Sequence, residues 1–174
     1  MTKIALIGTH GTGKTTLGHE LVAELKKKGI DADYLSELAR ECPFPINEGQ
    51  NLDTSEWIIY NQYIRELEKE KKCEVLVCDR SVLDSYVYCA EAIGENKLLE
   101  SFVKEKIKGY DLLVRIPIRN GKLQEDGVRS TNPEFQQKID KKFDVLQKKL
   151  NIYPEKFSNL ENTLNKIIQY HKNL

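Results

Sequence analysis

Two hydrophobic patterns alternate along this chain: short runs of consecutive apolar residues, and longer stretches in which apolar positions recur every three or four residues. The first predicts strands and the second amphipathic helices, and their alternation predicts a parallel sheet wrapped by helices. Strands are expected at Lys3 to Ile7, Ala32 to Leu35, Val75 to Cys78 and Leu112 to Ile116, with a fifth near Ile152 and Tyr153. The runs VLVC and LLVRI are apolar on successive positions, as strands covered on both faces should be.

The first helix carries Leu17, Leu21, Val22 and Leu25 on one face and stops at Gly29 after three lysines. A second opens at Asp53, with Glu56 in a capping-box arrangement, and runs to about Lys72. Others cover Leu83 to Ile93 and Leu98 to Lys108, closed by Gly94 and Gly109. Asn132 and Pro133 read as N-cap and first-turn residue of a helix that buries Phe135, Ile139, Phe143, Leu146 and Leu150. Ser158 with Glu161 opens the last helix, and residues 117–132 form a polar loop too long for an ordinary connection.

A length of 174 residues predicts one domain over 1–174, with its own core. A net charge of zero gives no whole-molecule field to draw it to nucleic acid or membrane, which favours a small partner. Cys42, Cys73, Cys78 and Cys89 lack metal or redox spacing, so a reduced, cytoplasmic protein is expected. No export signal is visible, and no apolar run nears the ~18 residues of a membrane span.

The chemistry concentrates behind the strands. GTHGTGKTT follows the first one directly and fits G-x-x-x-x-G-K-[ST], the phosphate-binding P-loop, through Gly8, Gly13, Lys14 and Thr15. Nucleotide phosphates are expected on Gly8, Thr9, His10, Gly11, Thr12, Gly13, Lys14, Thr15 and Thr16, with Lys14 reaching the β- and γ-phosphates and Thr15 offering its hydroxyl to Mg²⁺. His10 is expected to pack beside the substrate pocket. VLVCDRS ends a buried strand in Asp79, a second Mg²⁺ candidate, with Arg80 beside it as an anion reader. In LSELAR, Glu37 is the candidate base for a hydroxyl acceptor and Arg40 a binder of that acceptor. Arg129 in the long loop is the first choice for a guanidinium that reaches the transferring phosphoryl, ahead of Arg119 and Lys122. Among Trp57, Tyr60, Asn61, Gln62 and Tyr63, a base contact competes with plain core packing, and Gln62 is carried as a substrate-binding candidate.

Taken together, GTHGTGKTTL, SELARE, DRSVLDSYVY, and EDGVRS ahead of a helix with KID resemble the P-loop kinases of the AAA-type ATP-binding group that includes ribosylnicotinamide kinase domains. They resemble deoxynucleoside and thymidylate kinases more distantly. The resemblance implies a P-loop NTPase fold, a five-stranded parallel sheet of order 2-3-1-4-5 flanked by helices, with ATP and Mg²⁺ as phosphoryl donor. It implies Asp79 near the metal, Arg80 at the reactive group of the acceptor, Glu37 as base and Arg129 in a lid. The expected activity is transfer of the γ-phosphate to a nucleoside- or nucleotide-like small molecule. The alternatives are an ATPase or regulatory switch, or a kinase acting on polynucleotide or hydroxymethylated DNA bases. NKLL and NKII lack the aspartate of a guanine-reading motif, which counts against a GTPase switch. Association into a homodimer is left open.

Overall fold

The computed structural model describes residues 1–118 and 130–173. Five parallel strands, β1 (Thr2–Ile7), β2 (Ala32–Leu35), β3 (Val75–Asp79), β4 (Leu112–Arg115) and β5 (Glu155–Lys156), stand in the order β2-β3-β1-β4-β5. Around them lie α1 (Lys14–Lys27), α2 (Leu52–Glu70), α3 (Val82–Ala92), α4 (Lys97–Lys106), α5 (Pro133–Lys149) and α6 (Leu160–Lys172). β1 is central and buried along its whole length, with Thr2 opposite Val75 of β3 and Ile4 opposite Leu112 of β4.

Strand alternation sends neighbouring side chains of β1 to opposite faces. Ile4 and Leu6 pack with Leu17, Leu21 and Leu25 of α1 and with Leu164 and Ile167 of α6. Ala5 and Ile7 join Ile59 of α2, Leu83 of α3 and Phe143 of α5 on the other face. The end of β1 is therefore clamped between two cores, and the loop that follows it starts from a rigid point.

Helix boundaries differ from the sequence expectation where several good capping residues compete. α2 is capped by Asn51 in a reciprocal box with Thr54, two residues before the expected Asp53. α6 is capped by Asn159, whose side chain accepts from the Asn162 amide, and not by Ser158. Ser, Asn and Asp are all strong N-caps, and only the backbone geometry chooses among them. Asn132 caps α5 as expected, and Gly29 ends α1 with φ +80°.

The fifth strand lies beyond its expected place. Ile152 donates its amide to Gln147 O at 2.8 Å, wraps the end of α5 and buries its side chain in the core. Its apolar character serves a helix terminus. β5 is the exposed pair Glu155–Lys156, opposite Val114 and Arg115.

Candidate functional site

The loop between β1 and α1 turns through Gly8, Gly11 and Gly13, all with positive φ. At Gly8 (φ +138°) a Cβ would lie 2.7 Å from the Ile116 carbonyl oxygen, so only glycine lets β1 leave the sheet beside β4. The Lys14 ammonium donates to Gly8 O at 2.9 Å and Thr9 O at 2.6 Å, lying along the loop. Burial, with the charge of Arg80 adding to it, pushes its pKa down to about 8, so it remains mostly cationic at neutral pH. Cationic lysine, loop amides and the start of α1 are groups that suit an anion. Thr16 is exposed in the first turn of α1.

At the end of β3, Asp79 Oδ2 accepts from Thr15 Oγ1 at 2.6 Å and from the Tyr34 hydroxyl at 2.9 Å. Burial and the Asp79 carboxylate push the Tyr34 phenol far above its ordinary pKa, which keeps it a donor. A hydroxyl and a carboxylate are hard oxygen ligands, and two of them suit an ion that keeps most of its waters, as Mg²⁺ does. Among the described residues no group of three or more His, Cys, Asp or Glu could hold a metal, so a fully protein-built cage is not present there.

The next residue, Arg80, has φ +82°, a costly conformation for a side chain with a Cβ. Its Nε donates to Glu37 Oε1 at 2.5 Å, and Arg40 Nε lies 3.5 Å from Glu37 Oε2. Burial works against the Arg80 charge, but Glu37, Tyr88 and Asp84 outweigh it and hold the guanidinium well above its ordinary pKa. Asp84 accepts from the Gly8 amide at 2.9 Å through Oδ1 and from the Ser81 amide at 2.8 Å through Oδ2, joining the P-loop to the start of α3.

Gln62, carried as a substrate-binding candidate, is buried beneath this turn and lines neither the P-loop cavity nor the cleft beside it. Its Nε2 donates to Glu66 Oε1 at 2.7 Å and reaches the Arg80 carbonyl at 3.4 Å. Glu66 also accepts from Tyr110 and pairs with Lys3 at 3.0 Å, while the Tyr110 hydroxyl receives the Val82 amide at 3.3 Å. A buried polar chain thus grips the backbone on either side of Ser81. Tyr60 and Tyr63 meet Phe102 edge-on and belong to packing.

A narrow cleft adjoins the P-loop cavity, and both share Glu37 and Arg80. Ala39, Ile46 and Ile58 supply its apolar walls, and Asn47, Gln50, Ser85 and Tyr88 its polar groups. Sequence reasoning missed these four polar residues, Tyr34 and the role of Asp84. Only Asp84 carried a local signal, as the third residue after Ser81 in a capping box. Arg119, Lys122 and Arg129 lie outside the described residues.

His10 lines the P-loop cavity, is 1% exposed, bonds the Tyr88 hydroxyl through Nδ1 at 2.8 Å and stacks on Phe135. Gln136 Nε2 donates to His10 O at 2.7 Å, so α5 holds the loop from outside. Burial, then the charges of Arg80 and Lys14, push the imidazole pKa down from 6.5 to about 4. The folded state therefore keeps His10 neutral while the unfolded chain takes up a proton, and stability falls as pH drops from about 6.5 toward 4. A His10→Gln variant is expected to lose about 3 kcal/mol less than the wild type between pH 7 and pH 4. Denaturant unfolding at both pH values checks this, and parallel losses would show that His10 is protonated in the fold.

The comparisons with known proteins agree with this architecture. The AAA domain family matches residues 3–159. The structure of NadR protein in complex with NR superposes with a TM-score of 0.75 at 19% identity, over 98% of this chain and 52% of that one. Thymidylate kinase from Ehrlichia chaffeensis gives 0.71 at 18% identity, over 97% and 98% of the two chains. Deoxyadenosine kinase from M. mycoides, with products dCMP and dCDP bound, gives 0.62 at 14% over 99% and 100%. A shikimate kinase of Nitrobacter winogradskyi is 45% identical over 42 residues, 24% of this chain, so the match spans about a fifth (20%) of that curated relative. Sheet order, glycine loop and family match converge: the chain belongs to the AAA domain family and has the P-loop kinase fold.

Proposed function

We propose that this protein is an ATP-dependent kinase that transfers the γ-phosphoryl group to a hydroxyl of a nucleoside- or nucleotide-like small molecule. The observation that carries the reading is the shared wall: Glu37 and Arg80 border both the P-loop cavity and the neighbouring cleft. A donor in one and an acceptor in the other would meet at these two side chains. The apolar walls with Asn47 and Gln50 suit a flat ring that carries hydrogen-bonding edges.

Lys14 and the loop amides would hold the triphosphate, and Thr15 and Asp79 would hold Mg²⁺, whose chemistry is to neutralise charge on the phosphate oxygens. Glu37 would take the proton of the attacking hydroxyl as the new O–P bond forms and the bond to the β-phosphate oxygen breaks. Arg80 would offset charge on the phosphoryl oxygens. Arg129, outside the described residues, is proposed as a further guanidinium for the same charge.

The test follows ATP consumption by the purified protein with nucleosides, nucleotides and DNA carrying hydroxymethylated bases. ATP loss that depends on a nucleoside or nucleotide, with a phosphorylated product identified by mass, is the expected result. Turnover without any acceptor would favour an ATPase or switch, and phosphorylation of the DNA alone would move the acceptor to a polynucleotide.

A further inference from the structure

The Tyr34 hydroxyl and Thr15 Oγ1 converge on a single oxygen of Asp79, from β2 on one side and α1 on the other. A carboxylate held by one donor can still rotate about its Cβ–Cγ bond. Two donors arriving from different elements set its plane, which leaves Oδ1 for a cation or the waters around one. The bond from Tyr34 does not involve the P-loop, so it holds Asp79 aligned whether or not the loop rearranges on binding.

The ring is accommodated by a feature that is otherwise unfavourable. Gly18 lies inside α1, where glycine is a poor helix former, and a Cβ there would come within 2.5 Å of Tyr34 Cε2 and 3.2 Å of Cδ2. His19 lies against the same ring, with centroids 4.1 Å apart. α1 thus gives up a side chain where Tyr34 crosses it, and the ring can reach the end of β3.

We propose that Tyr34 is a positioning residue for the cation site: it orients the Asp79 carboxylate in advance and so sets the affinity for Mg²⁺. This rests on the reading of Thr15 and Asp79 as the protein's Mg²⁺ ligands. Tyr34 acts through Asp79 and holds no cation itself.

The experiment is an Mg²⁺ titration of ATP affinity by calorimetry, with Mn²⁺ binding followed by electron paramagnetic resonance, on wild type and Tyr34→Phe. Removing a group that orients a metal ligand costs on the order of tenfold or more in metal affinity. Tyr34→Phe is therefore expected to need about tenfold more Mg²⁺ for half-maximal effect. ATP affinity in the presence of a chelator should stay unchanged, and the variant, though its melting temperature falls with the lost bond to Asp79, should remain folded at the temperature of the titration. Gly18→Ala, which displaces the ring while keeping the hydroxyl, is expected to shift the titration in the same direction. A Tyr34→Phe titration superimposable on that of the wild type overturns the proposal and leaves the Mg²⁺ assignment standing. A wild type whose ATP affinity ignores Mg²⁺ removes the assignment and the role of Tyr34 with it.

Discussion

Lys14→Met is expected to lower turnover by on the order of 10³-fold, the scale seen when one preorganised donor to developing charge is removed. The protein should stay folded. The ammonium donates to loop atoms, Gly8 O, Thr9 O and Thr12 Oγ1, and those carbonyls can turn to water when it is gone. Methionine keeps the buried stem and discards the charge, so packing is preserved while the phosphate contact is lost. The measurement is acceptor-dependent ATP turnover alongside thermal unfolding. Turnover equal to wild type in a folded variant would show that the loop does not hold the transferring phosphates.

Glu37→Gln is expected to lower kcat by on the order of 10²- to 10⁴-fold with a hydroxyl acceptor, because the amide keeps the shape and cannot take the proton. It should also destabilise the fold. Arg80 is 8% exposed and its second carboxylate, Asp84, is 3.9 Å away, so removing the charge of Glu37 leaves a buried cation poorly compensated. Breaking such a pair costs about 3–5 kcal/mol, and the amide oxygen, still able to accept from Arg80 Nε, places the expected loss near the lower bound. The two effects separate the roles. A fold weakened by about 3 kcal/mol with kcat intact would make Glu37 a holder of Arg80 and not a base.

Motifs that lie in one continuous stretch are legible in the sequence itself. GTHGTGKTT states its own conformation, since each positive-φ position is a glycine and the lysine and threonine follow at fixed offsets. The strand VLVC announces its burial, and its end at Asp79 follows from the next residues being Arg80 and Ser81, which turn and cap. Gln62 shows where local pattern misleads. Its place on α2 after the acceptor segment suggests substrate contact, yet its helical face points inward, where Glu66 one turn later fixes its amide.

By itself, then, the sequence determined the element order, the doubly covered parallel sheet and the phosphate loop, because periodicity, capping and glycine spacing act over a few residues. Only the tertiary structure decided which distant side chains meet. The register of β2 on β3 sets Leu35 opposite Cys78, and this brings Glu37 level with Arg80 and Tyr34 within reach of Asp79. The approach of α5 to β1 likewise brings Gln136 to His10, 126 residues away in the chain. No local pattern encodes these pairs. Each depends on a strand register and a helix approach that the two hydrophobic cores select together, and the geometry of the candidate site is a consequence of that packing.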